Sequence, residues 1–253
     1  MIPLSILGKA LFWFFAFSSI GYAQLSRDLT DLQKRYREAR ADALTYLHTR
    51  SVAVNGQVEQ GGAALNFELI QRESGEIRYT LNTPEGLVIQ VFDGKDGWRW
   101  VSGKPSLGVT RLTDKQLRFF RLNNAFYSPF ELPESYAFTP KYLGVEAKDG
   151  GSPEHHVQLV STRFGDVLDI WIDANNFLET RRHYRPSLEA TPLVMVFNEY
   201  QEADGFRAPF KVTTSFQGDT LATAQVDEVS RNSGMLSFYF TKPSSYKVVA
   251  NPR

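Results

Sequence analysis

Few residues of this 253-residue chain have the types and spacings that covalent chemistry needs. Of the four histidines, His155 and His156 are adjacent, so on a strand they point to opposite faces and cannot close on one ion. His48 and His183 stand alone, and no ligand spacing for a metal is present. The run Asp93-Gly94-Lys95-Asp96-Gly97 has the acids and glycines of a calcium loop without its alternating ligands or distal glutamate, so it reads as a hairpin turn. Asp169 and Asp173 would form a carboxylate pair on one strand face. A solvated face accounts for them, because charges are seldom buried unpaired. The absence of cysteine removes thiolate nucleophiles, thiolate metal sites and disulfides. The Gly-x-Ser-x-Gly elbow, the phosphate loop, the His-Glu-x-x-His helix and the dinucleotide glycine pattern are also missing. The expectation is a protein that is not an enzyme, with no metal and no cofactor.

What the chain offers instead is apolar surface, and the elements that position it are mostly strands. Residues 65–101 read as a four-strand meander. Leu65, Phe67 and Leu69 alternate along the first strand, Ile77, Tyr79 and Leu81 along the second, and Leu87, Ile89 and Val91 along the third. Trp98 and Trp100 flank Arg99 in the fourth, and short turns rich in Gly, Asp, Asn and Pro separate all four. A strand over 51–60 precedes them. A second meander follows, with candidate segments at 142–147, 156–162, 166–172, 177–185, 193–202, 206–216 and 220–231, twelve candidate segments that read as about eleven strands in all. One amphipathic helix is expected at 24–48, with Leu25, Leu29, Leu32, Tyr36, Ala39, Ala43 and Leu47 as its stripe and Ser26 as its cap. A short helix opens at Thr113. Residues 123–140 hold three prolines and five aromatics with no clean period, and read as helical turns or a flap. The fold class is mainly β: a strongly curved antiparallel sheet whose concave face helices can cover.

Positive and negative side chains balance at 28 each, so no basic field attracts nucleic acid. Residues 1–23 combine Lys9, a short apolar run and small residues ending at Ala23. That is the pattern of a signal peptide cleaved after Ala23, and the run is shorter than the ~20 residues needed to span a bilayer. The mature chain, 24–253, reads as one exported domain, suited to the periplasm. No cysteine is available there for a lipoprotein anchor.

The apolar strand residues admit two readings. If the sheet is continuous, Phe67, Leu69, Ile77, Tyr79, Ile89, Trp98 and Trp100 face the same side as Leu168, Ile170, Met195, Phe197, Phe210 and Val212. That face is either a filled core or the lining of a cavity able to hold acyl chains.

A likeness attaches to these landmarks in order. They are a signal peptide, a helix, a strand ending in Gln71-Arg72, Tyr79, Pro84, Asp93-Gly94-Lys95 with Trp98, and a helical flap. Ile170-Trp171-Ile172-Asp173, Leu178 to Arg181, the YQEADGFRAP run at 200–209 and the strand at 226–232 follow. The sequence resembles the LolA/LolB-like superfamily, in particular its branch of outer-membrane lipoprotein-sorting proteins. The resemblance implies an unclosed β-barrel wrapped over an N-terminal helix and a helical lid. It implies a periplasmic carrier, a chaperone in the broad sense, that shelters the acyl chains of lipoproteins or other lipids on the way to the outer membrane. An inner-membrane donor complex, an outer-membrane acceptor and a monomeric state go with it. Arg72 takes the place of an arginine that latches the lid in this family. A second reading on the same fold is an envelope sensor or scaffold that works through protein contacts without lipid transfer.

Overall fold

The computed structural model describes residues 28–104, 106, 108–147, 150–234 and 236–243. The expected signal peptide, its cleavage point, Leu25 and the Ser26 cap lie outside the described residues. Among those described, thirteen strands form one antiparallel sheet. The first meander is β1 (Ser51–Gln60), β2 (Ala63–Arg72), β3 (Ile77–Thr83), β4 (Gly86–Phe92), β5 (Gly97–Val101) and β6 (Val109–Arg111). The second is β7 (Phe138–Glu146), β8 (Glu154–Ser161), β9 (Val167–Asp173), β10 (Glu179–Arg185), β11 (Leu193–Ala203), β12 (Phe206–Phe216) and β13 (Asp219–Arg231). Within each meander every strand pairs with its sequence neighbours, and β1 pairs with β13 to join the meanders. β6 and β7 are left as the two edges, so the sheet curves without closing.

The turns are built by short acids rather than by ligand loops. Asp93 Oδ1 accepts from the backbone N–H groups of Lys95 and Asp96 at 2.9 and 2.7 Å. Asp173 does the same for Asn175 and Asn176. Each replaces a missing backbone partner in a tight turn. The strand count exceeds the sequence estimate chiefly because β6 forms at 109–111, where no strand was expected.

Two helices replace the single one expected at the start. α1 covers 28–40 and α2 is Ala43–His48. Asp42 divides them: its side chain accepts from Thr45 N–H at 2.6 Å and caps α2. A short acid gains more as a cap than in a helix interior. The break also turns the apolar stripe. Leu32 and Tyr36 of α1 are buried, but on α2 Thr45 and Tyr46 are buried while Leu44 and Leu47 face solvent. No described helix is long and apolar enough to cross a membrane.

α3 (Asp114–Asn124) links the two edges of the sheet, with residues 125–137 completing the crossing. Thr113 and Gln116 form a reciprocal capping box at its start. It lies close on β5: a Cβ on Gly97 would sit 2.7 Å from Leu117 Cδ1, so a larger residue there would displace that side chain. The core divides by face. Over the concave side of β8–β10, Val157, Leu159, Leu168 and Ile170 pack with Leu32, Tyr36 and Phe130. On the convex side of the first meander, Ala53, Ile70, Ile89, Val91 and Trp100 pack around Phe240, from a 3₁₀ turn at Ser237–Phe240. That meander is therefore apolar on both faces.

Candidate functional site

The helices fill the concave face over β8–β10 and leave it unfilled over β1–β3 and β11–β13. The space left is a cavity of about 830 Å³. Strand register builds its wall in rows, since directly paired residues share a face. One row runs Gly56, Phe67, Leu81, Val88, of which Phe67 borders the cavity. The next runs Val54, Leu69, Tyr79, Gln90. Across the β1–β13 seam, Ala224 pairs with Val58 and Val212, and Val212 with Phe197. α3 and residues 125–129 supply the roof through Phe119, Phe120, Leu122, Phe126 and Pro129. Burial pushes the Tyr79 hydroxyl up to about 12, so it presents a neutral phenol. At the mouth, Gln60, Leu193 and Leu221 line the opening. Leu221 is 46% exposed and Phe216, paired with Leu193, is 38% exposed.

The inner end is polar and closed on itself. The Arg182 guanidinium donates to both oxygens of Glu179, at 2.7 and 2.8 Å, and to the Leu122 carbonyl at 3.0 Å. Tyr36 donates to Glu179 Oε2 at 3.0 Å, and Tyr200 to the Glu179 carbonyl at 2.7 Å. Burial, reinforced by the Glu179 charge, holds both phenols well above their usual range, so they stay donors. Burial opposes the charge on Arg182, but Glu179 outweighs it and the guanidinium stays protonated. A second pair, Arg40 with Glu131, ties α1 to the segment after α3. Tyr46 and the Ser128 N–H also bond Glu131, at 2.9 and 2.7 Å. Both arginines border the cavity and both are already neutralised.

Of the residues anticipated as lining, Phe67, Leu69, Tyr79, Met195 and Phe197 border the cavity. Ile77, Ile170 and Phe210 share its face but lie under the helices, within packed clusters. Ile89, Trp98 and Trp100 are on the other side of the sheet. The register pairs Ile77 with Phe92 and Tyr79 with Gln90, which sends Ile89 and Val91 outward. Trp98 and Trp100, opposite Val91 and Ile89, follow them. The more apolar phase of β4 faces the C-terminal 3₁₀ turn, not the cavity.

Arg72 is corrected by the same alternation. It points to the convex face, 3.4 Å from Ser237 Oγ, with its guanidinium over the Phe240 ring, and it makes no contact with residues 123–140 among the described interactions. Its neighbour Gln71 points inward and donates to the Asn124 and Ala125 carbonyls at 3.0 and 3.3 Å. Gln71, Arg182 and Arg40 together hold the end of α3 and the segment after it. Gln71 and Gln90 were legible as polar residues in phase with Leu69 and Phe92. Arg182 carried no signal, because β10 has charges on both faces.

Asp169 is likewise not on a solvated face. It is buried and bonded to Arg185, to Gln158 at 3.0 Å and to His156 at 3.2 Å. His156 also bonds Glu146 at 2.6 Å and stacks on Trp171, while His155 bonds Tyr142 at 2.8 Å.

No protein-family model and no curated protein sequence matches the chain. Solved structures do match its fold. A LolA superfamily protein from Nitrosomonas europaea superposes with a TM-score of 0.61 at 14% identity, over 84% of this chain and 97% of its own. A DUF1329 family protein from Desulfovibrio piger gives 0.61 at 12% identity, over 86% and 97%. A domain described as outer membrane lipoprotein-sorting, from Vibrio parahaemolyticus, gives 0.58 at 10% identity, over 84% and 95%. The fold is LolA-like: an unclosed, curved antiparallel barrel with helices on its concave side.

Proposed function

We propose that this protein is a periplasmic carrier that shelters acyl chains of a lipid or lipoprotein in the concave cavity. One observation carries the reading: about 830 Å³ of largely apolar space stays unfilled beneath a sheet whose other half is packed solid. Exposed acyl chain costs about 0.8 kcal/mol per methylene in water, so an apolar trough open at one end is a favourable shelter. The LolA-like fold supports the same reading, and so does the lipoprotein-sorting description of the Vibrio domain. Residues 1–23, read as an export signal, support the compartment. No covalent step is involved. The chain's own part is to bury the ligand and then let it go.

Release needs the roof to move. In this reading the three polar ties at Gln71, Arg182 and Arg40 set how readily residues 122–131 lift. Native mass spectrometry of the protein purified without detergent tests the proposal. Co-purifying acyl lipid, displaced by a fluorescent fatty-acid probe, is the expected result. Protein that is lipid-free and indifferent to the probe would reject it.

A further inference from the structure

We infer that the cavity is sized for two acyl chains, so that the client is a diacyl lipid or diacylated lipopeptide rather than a triacylated one. The inference rests on the carrier reading and adds the chain number.

The volume sets the first limit. A methylene takes roughly the ~30 Å³ of a liquid water molecule, so about 830 Å³ holds on the order of 28 of them. Acyl chains that fill half of a ~30 Å hydrocarbon core have about 12 to 16 carbons each, at ~1.25 Å per carbon from ~1.5 Å bonds at ~111°. Two such chains need about 24 to 32 methylenes and three need about 36 to 48. Length agrees. On β1 the lining runs from Val52 to Gln60, which is about 26 Å at ~3.3 Å per residue, enough for an extended chain.

The cavity has no reserve on its far side. Leu159, Leu168, Ile170 and Phe130 are fully buried beyond it, and the Glu179–Arg182 pair stands at the boundary with its hydrogen bonds made. A third chain pushed that way would have to part a buried ion pair, which is strongly unfavourable. The mouth is different: apolar Leu193 and Leu221 and the amide of Gln60 can meet the glycerol region of a lipid whose head stays outside.

The test is native mass spectrometry of the mature protein with a lysophospholipid, a diacyl phospholipid, and diacyl and triacyl forms of one lipopeptide. Two lysophospholipids or one diacyl molecule per protein are expected, with the triacyl lipopeptide bound at least tenfold more weakly than its diacyl twin. Ala224→Phe, which fills space between Val58 and Val212, is expected to keep one lysophospholipid and lose the diacyl ligands. Ala224→Leu gives a milder version should the larger ring disturb folding. Equal or tighter binding of the triacyl form, or saturation by a single chain, overturns the inference while leaving carriage intact. Failure of every acyl ligand to bind overturns the carrier reading itself.

Discussion

One sheet presents two unlike halves of a single concave face. Over β8–β10, α1, α3 and residues 126–136 press side chains into every gap, and Val157, Leu159, Leu168 and Ile170 have no exposed surface. Over β1–β3 and β11–β13 the strands are also apolar, yet among the described residues none fills the space. The backbone is the same in kind, so the difference lies in what is laid over it. An apolar strand face is a core only where a helix reaches it. The two halves meet at the Arg182–Glu179 pair, which closes the packed side against the open one.

Breaking that boundary should have the largest effect. Arg182→Met leaves Glu179 buried without its partner and should cost about 3–5 kcal/mol in urea unfolding. A loss below about 1 kcal/mol would mean that water already reaches the pair. Within the halves, Ile170→Ala should cost about 2–5 kcal/mol, since it opens a hole in close packing. Leu193→Ala, at the edge of an existing hole, should cost about 1 kcal/mol or less. Equal costs would erase the distinction between filled and unfilled.

Gln71→Leu should cost about 1 kcal/mol and speed hydrogen exchange at residues 122–131, because the Asn124 and Ala125 carbonyls lose their donor. Arg72→Leu should leave that exchange unchanged and loosen 237–240 instead.

The smallest effect expected is of pH on the convex side of the packed half. Burial disfavours the His156 charge, but the hydrogen bonds it donates to Asp169 and Glu146 outweigh it, and the folded pKa lies above the ordinary value near 6.5. The protonated ring therefore stabilises the fold in full below about pH 6.5, and the contribution fades as pH rises through the raised value. His156→Gln should flatten this dependence in thermal melts by an amount equivalent to less than about 1 kcal/mol. A wild-type melting profile flat from pH 5 to 8 would contradict it.

Much of the fold was legible because hairpin turns and period-two alternation announce strands locally. The phase of a strand was legible only where one face is polar. β4 is apolar on both, since Phe240 comes back from the far end of the chain to cover Ile89 and Trp100, and no local pattern encodes that return. The Arg72 assignment failed one step away from the residue that holds α3. On a strand, one step is the whole difference between inside and outside. The helix break at Asp42 was written in a capping residue, but the stripe around it looked continuous. The cavity itself could not be read from the strands, because emptiness depends on where α3 stops.

The pairing of β1 with β13 has a consequence for how the molecule could be divided. The covalent path between the two meanders runs through α3 and residues 125–137, but their hydrogen-bonded ladder runs along the opposite side of the sheet. A cut between Ala125 and Leu132 would break no strand pair. The two fragments, each a complete meander, would retain a long complementary edge through which to reassemble, and the roof would become two loose ends over an intact trough.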